Sequence, residues 1–208
     1  MAKIKICGLT NHSDILQATN LGADFLGFHL IKESPKKVSI KFVKDTVSKL
    51  PPFVTPVGIF SNEEKVEIEK TLHKTGLKVI QLNGSETPEI CNLFRTAGIK
   101  VFKYFKVGND ESVFSAIEAY RGKIDYLILD FSFSVDQEQQ YDFNLPLKAP
   151  ELGIPFFLSG TKVEDIKQSI EKIMPFGFDI DSQIERLPTR KDYDKMSIAI
   201  KLAHGIKV

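Results

Sequence analysis

The sequence predicts an α/β protein, a single (β/α)8 TIM barrel over residues 1–208. Three observations predict it. Short apolar runs that end in small or polar residues alternate along the chain with segments of helical period. Eight such runs occur, at roughly 26 residues per strand–helix unit, a repeat that suits a closed barrel of parallel strands. The first run is followed by the lone Gly8, whereas the rival architecture, an open doubly wound sheet, usually has fewer strands and places a glycine-rich phosphate loop there.

Residues 3–7 (KIKIC) alternate and read as the first strand. Gly8 permits a sharp turn, and Asn11 or Ser13 can cap a helix to about Leu21. Residues 23–29 form the second strand, and a loop over 32–37 leads to Ser39, the cap of a helix reaching about Lys49. Residues 55–60 are the third strand, with Asn62 capping a helix over 63–74. Residues 78–82 are the fourth, and after the turn Asn83-Gly84-Ser85 a helix opens at Thr87-Pro88-Glu89, with proline at its first position, and ends at Gly98. The fifth strand is 100–105, with a helix from Asp110 to near Arg121-Gly122, and the sixth is 126–130 (YLILD). The stretch 131–150 reads as loop with one helical turn near its end; at about 20 residues it exceeds a plain connector and is expected to be a lid. The seventh strand is 155–159, followed by Gly160-Thr161 and a helix over 163–173; the eighth is 176–180, and 192–203 is the closing helix.

A hydrophobic share of 42% and a charged share of 26% are those of an ordinary folded protein. A net charge of +1 gives no electrostatic case for nucleic acid or for an anionic membrane surface. The two cysteines, Cys7 and Cys91, are too few for a disulfide framework, and with no secretory apolar segment a reducing cytoplasmic setting is expected. No run of about 18 apolar residues is present to span a bilayer.

Parallel barrels carry their chemistry at the C-terminal tips of the strands. Cys7 stands at the first tip, on the same strand face as Lys5, roughly 7 Å away along the backbone. An ammonium so placed is expected to lower the thiol below its free value near about 8.5, suiting a base; the alternative is a small buried hydrophobe. Cys91, mid-helix, reads as core. Asp130 ends the apolar run 126–129, an unusual place for a carboxylate because burying an unpaired charge is costly. It is either a rim salt bridge or cap, or an acid whose pKa rises among apolar strand ends and which donates a proton. Asp179 is a weaker copy of that signal. Gly160 and Ser182, in the seventh and eighth loops with Asp181 and Gln183, stand where many barrels bind phosphate. Lys36 and Lys37 can clamp an anion or simply be solvated. Of His12, His29, His73 and His204 only His29, at the second tip, is placed to reach a substrate, and none has metal-ligand spacing, so no metal is expected.

These residues resemble the phosphoribosylanthranilate isomerase family of tryptophan biosynthesis. The opening KICGLT is similar to that family's signature, and LGADFLGFHL, SPKKVS, PVGIF, IQLNGSE, LILD, LSGT, GFDIDSQIE and a closing KD follow in the family's order along nearly the whole chain. The resemblance implies a (β/α)8 barrel, monomeric or homodimeric, with neither metal nor organic cofactor. It implies isomerisation of a phosphosugar–anthranilate substrate by an Amadori rearrangement, Asp130 as general acid at the ribose ring oxygen and Cys7 as general base at the sugar C2. Lys5, His29, Lys36, Gln81, Gly160, Asp179 and Ser182 are the substrate-binding residues expected around them. Several positions depart from the pattern. Lys36 replaces the arginine that binds the anthranilate carboxylate, offering charge without a bidentate fork. Asn83 replaces the histidine of QLHG, and Gly160-Thr161 replaces Gly-Gly. Asp181-Ser182-Gln183 replaces Ser-Ser-Gly, where Asp181 repels a phosphate dianion unless it is turned away. Residues 135–140 replace a Gly-Gly-Thr-Gly loop. The departures leave open a barrel that binds or isomerises a different phosphosugar-like anion, or a non-catalytic ligand-binding relative.

Overall fold

The computed structural model describes residues 1–107, 112–131 and 146–206. Eight parallel strands close into a barrel in chain order: β1 (Lys3–Ile6), β2 (Phe25–His29), β3 (Thr55–Phe60), β4 (Val79–Leu82), β5 (Lys100–Lys106), β6 (Tyr126–Asp130), β7 (Phe156–Ser159) and β8 (Gly177–Ile180). Closure is made by β1 against β8, in a register that sets Lys5 beside Asp179. Helices α1 (His12–Leu21), α2 (Ile40–Val47), α3 (Lys65–Thr75), α4 (Pro88–Thr96), α5 (Ser112–Glu118), α6 (Ile166–Ile173) and α7 (Tyr193–Ala203) form the outer shell. Among the described residues no helix is long and apolar enough to cross a membrane.

Strand alternation decides what faces the interior. In β1, Ile4 and Ile6 join the main core between strands and helices. Lys5 and Cys7 point the other way, into the barrel, where they touch each other. Val57, Val79, Phe102, Ile128 and Phe157 fill the barrel itself, with Phe25, Tyr104 and Tyr126 packed on them. Phe25 stands edge-on to Phe102 and to Phe157, each at 5.6 Å. His29, Gln81, Tyr104, Asp130 and Ser159 come later on the same inward faces, so a polar layer rests on an aromatic floor. Gly27 makes room for it: a Cβ there would lie 2.9 Å from the Cys7 sulfur and 3.1 Å from the Lys5 ammonium.

The caps follow the local sequence. Asn11, Ser39, Thr87 and Asp192 each accept a bond from a first-turn backbone N–H. Asn62 does not cap α3. It takes a left-handed backbone (φ 63°) and its carboxamide accepts from the backbone and hydroxyl of Ser85, tying the third loop to the fourth, so α3 starts later, after Glu64. The helix expected from 163 begins as a 3-10 turn, Val163–Asp165, and becomes α6 only at Ile166. The turn expected near 150 is a 3-10 helix, Pro146–Leu152, that buries Ala149 and Leu152. The start at Asp110, the altered loop 135–140 and most of the expected lid lie outside the described residues.

An antiparallel hairpin that the sequence reading did not anticipate follows the eighth loop, β9 (Glu185–Leu187) with β10 (Arg190–Lys191). Thr10 donates to the Thr189 carbonyl at 2.9 Å, which holds the hairpin against the first loop. The hairpin carries Glu185 and Lys191 to the barrel mouth.

Candidate active site

A cavity of about 210 Å3 opens at the C-terminal ends of the strands. Cys7 follows β1 and Asp130 ends β6, and both line it. So do His29, Gln81, Gly160, Asp179 and Ser182, together with Asn83, Tyr104, Ser159, Asp181 and Gln183. Lys5 and Lys36 stand behind this lining and reach it through Cys7, Asp179 and Asp181. A wider depression of about 310 Å3 lies in the helical shell, beside Phe114 and Leu152, away from the strand tips.

On one side of the cavity Lys5, fully buried, donates to Asp179 at 2.7 Å and to the Cys7 sulfur at 3.2 Å. Lys5 does pull the thiol pKa down, but the expectation of a thiol below its free value is overturned. Burial pushes the Cys7 thiol up to about 12, the Asp179 carboxylate adds to this, and Lys5 only partly offsets it. Burial of the sulfur is the main reason, and the register of β1 on β8 adds to it by setting the Asp179 carboxylate beside Lys5. Burial also raises Asp179, against the pull of Lys5. Burial disfavours the charge on Lys5 itself, yet Asp179 and Cys7 outweigh it and its pKa moves up.

His29 presents Nε2 to the Cys7 sulfur at 3.6 Å, while its Nδ1 is bonded to the Ser34 hydroxyl at 2.9 Å. Burial brings the ring down to about 4, so the imidazole is neutral at ordinary pH.

Across the cavity Tyr104 donates its hydroxyl to Asp130 at 2.6 Å. Burial and the bond to Asp130 raise the phenol above its ordinary range, so it stays a donor. Tyr104 was missed by the sequence reading, yet its position, two along from inward-facing Phe102, is the signal that finds it. Gln81, only 2% exposed, donates to the Asn83 carboxamide oxygen at 2.9 Å, and its own carbonyl oxygen has no hydrogen-bond partner among the described residues.

At the rim Asp181 accepts from Lys36 and from Lys191, each at 2.7 Å. Glu185 accepts from the same two lysines at 2.9 and 3.3 Å. Burial alone would raise Asp181, but Lys191 and Lys36 hold its carboxyl at about 2. Gly8 lets this pair pass: its φ is 68°, and a Cβ would stand 2.5 Å from Asp181 Oδ1 and 2.7 Å from the Lys36 side chain. The Cys7, His29 and Asp181 donor atoms lie within 4.8 Å of one another, a convergence invisible in the spacing of the histidines along the chain. Cys91 is buried core, and His204 pairs with Asp24 at 3.0 Å rather than with solvent.

The model of the N-(5'-phosphoribosyl)anthranilate (PRA) isomerase family matches residues 4–201. The chain belongs to the PRA isomerase family. The N-(5'-phosphoribosyl)anthranilate isomerase of Citrifermentans bemidjiense is 33% identical over 209 residues, covering 99% of this chain and 98% of its own. That of Petrotoga mobilis is 32% identical over 211 residues, covering both chains completely. Among solved structures, the Thermotoga maritima phosphoribosyl anthranilate isomerase superposes with a TM-score of 0.89 at 31% identity, covering 99% of this chain and 100% of that one. A phosphoribosyl anthranilate isomerase in complex with reduced 1-(o-carboxyphenylamino)-1-deoxyribulose 5-phosphate gives 0.88 at 31% identity with the same coverage. Lys36 and Asp181, the two rim residues that the sequence reading sets apart from the family's pattern, are bound to each other.

Proposed function

We propose that this chain converts N-(5-phosphoribosyl)anthranilate to 1-(o-carboxyphenylamino)-1-deoxyribulose 5-phosphate, with Asp130 as general acid and Cys7 as general base. The observation that carries the proposal is the single cavity that Cys7 and Asp130 share from non-adjacent strands. Asp130 gives its proton to the ribose ring oxygen as the C1–O bond breaks and the amine nitrogen forms a protonated Schiff base. Cys7 then takes the proton from C2, leaving an enolamine. The enol hydroxyl returns a proton to Asp130 and C1 accepts one from Cys7, which yields the ketone and resets both groups. Each such proton transfer contributes on the order of 10²–10⁴-fold.

The high thiol pKa fits this order of events. A cationic nitrogen about 4 Å from the sulfur lowers the cost of a thiolate by about 4 kcal/mol at an effective dielectric of about 20. The base is therefore generated by the intermediate it acts on. The neutral His29 faces the thiol, with Nε2 3.6 Å from the sulfur. Tyr104 positions Asp130, and Lys5 and Asp179 hold the sulfur in place. Lys36 and the donors around Gly160 and Ser182 are assigned to the two anionic ends of the substrate, and Gln81, whose carbonyl oxygen has no partner among the described residues, to a sugar hydroxyl.

Cys7→Ala and Asp130→Asn are each expected to lower turnover of the aminoaldose by two or more decades with the circular-dichroism spectrum and melting cooperativity retained. Parental turnover in either variant removes that residue from the mechanism. Saturable quenching of substrate fluorescence by the parent protein without turnover would replace catalysis by binding.

A further inference from the structure

We propose that Cys7, His29 and Asp181 form a zinc-binding site in the mouth of the barrel, and that Zn2+ there silences the enzyme by occupying the lone pair its base needs. The inhibitory half rests on the role given to Cys7 above; the binding half does not.

The donor set comes from three separate elements: a sulfur beyond β1, an imidazole at the end of β2 and a carboxylate beyond β8. A thiolate, an imidazole and a carboxylate together select a borderline divalent cation such as Zn2+ over Mg2+ or Ca2+, which want oxygen ligands only. Donors around a tetrahedral zinc stand roughly 3.3–3.7 Å apart, given bonds of about 2.0–2.3 Å. The sulfur and His29 Nε2 are already at 3.6 Å. All three donors fall within 4.8 Å, so the carboxylate has to close by about 1 Å.

Two further features prepare the site. The Ser34 hydroxyl binds His29 Nδ1, the outer contact that fixes a ligating ring and leaves Nε2 for the cation. The ring is also neutral, as a ligand must be. The lysines nearby do not block the site, because each keeps another acceptor. Lys5 retains Asp179 at 2.7 Å, Lys36 retains Glu185 at 2.9 Å, and Lys191 retains the Asp181 carbonyl at 2.9 Å. On binding, the Cys7 S–H bond breaks, the proton goes to buffer and the sulfur–metal bond forms, with no change of oxidation state. Three protein ligands leave the fourth position to water.

The test is a titration of the parent protein with Co2+, a zinc surrogate whose bond to thiolate absorbs in the near ultraviolet. One equivalent of metal is expected to give a saturable thiolate-to-cobalt band, abolished in Cys7→Ser, kept in Cys91→Ser, and shifted to at least tenfold higher metal in His29→Ala and in Asp181→Asn. Zn2+ is expected to inhibit competitively with substrate, with recovery on adding a chelator. Circular dichroism of His29→Ala checks that the fold is intact, and Asp181→Asn repeats the test without touching the ring. The site is overturned by absence of a saturable band, by a band that survives Cys7→Ser, or by parental metal affinity in both His29→Ala and Asp181→Asn. A full band with undiminished turnover overturns the inhibitory half and the base assignment but leaves the metal site. No band, with turnover abolished by Cys7→Ala, does the reverse.

Discussion

His29 makes the protein sensitive to mild acid in a way that can be measured at one residue. Its pKa is held down to about 4 by burial, whereas in the unfolded chain it returns to about 6.5. As pH falls below the unfolded value, protons bind the unfolded chain first, and stability is lost until the folded value is reached. The separation of about 2.5 units corresponds to at most about 3 kcal/mol, and between pH 7.5 and about 4.5 the loss is on the order of 2–3 kcal/mol. The perturbation is His29→Gln, which keeps a polar side chain but does not titrate. Urea unfolding of both proteins at the two pH values gives the comparison. Carboxylates shared by both cancel in the difference. The parent is expected to lose on the order of 2 kcal/mol more than the variant over that interval. Equal losses would mean that His29 is protonated as readily in the folded protein as in the unfolded chain, and the buried neutral imidazole would have to be given up.

Four other outcomes follow from the same geometry. kcat/KM is expected to climb with pH through the alkaline range, because the free thiol ionises only at about 12; a plateau near the ordinary cysteine value of about 8.5 contradicts this. Lys5→Met leaves Asp179 buried beside no cation and is expected to cost about 3–5 kcal/mol in denaturant titration, and a loss under about 1 kcal/mol shows that the pair does not matter. Gly27→Ala drives a methyl against the Cys7 sulfur and the Lys5 ammonium, expected to cost about 1–3 kcal/mol and to lower turnover, both read on one preparation. Tyr104→Phe removes the hydrogen bond to Asp130 and is expected to lower kcat more than it changes KM, with an altered acid limb of the pH–rate profile; a parental profile removes Tyr104 from the acid's support.

The barrel was legible because strand signals are local. The run Tyr126–Asp130 is apolar except at its tip, and its observed bounds are those read from the sequence. Ser39 and Thr87 cap the helices that their sequence positions predict. That Cys7 and Asp130 line one cavity was legible because both sit at strand tips and the topology of the fold sends strand tips to one end. Pairings made only by tertiary register were not legible. Nothing in the spacing of Lys5 and Asp179 shows that closure of the sheet sets them opposite, and nothing in the first strand alone shows how fully the sulfur is buried, which is what reverses the sign of the thiol shift. Asn62 misled for a related reason: its carboxamide is used by Ser85, a residue of the next loop. The hairpin with Glu185 and Lys191 was hidden in a polar stretch too short to show alternation.

The rim shows how substitutions that look independent along the chain can be one change in space. Taken alone, Lys36 offers a carboxylate less than an arginine would, and Asp181 is a carboxylate in the loop where the sequence reading expects a phosphate. Each reads as damage. In the folded chain Lys36 is bound to Asp181, and Glu185 and Lys191 bring the group to two positive and two negative charges. Asp181, with its carboxyl at about 2, is ionised at any working pH, yet its charge is matched by two ammonium groups. The repulsion of an incoming dianion is thereby largely cancelled. Gly8 fits the same scheme, since only a residue without a Cβ lets the Lys36 and Asp181 side chains meet over the first loop. The two departures therefore belong together, and neither argues by itself that the barrel has lost its anionic substrate.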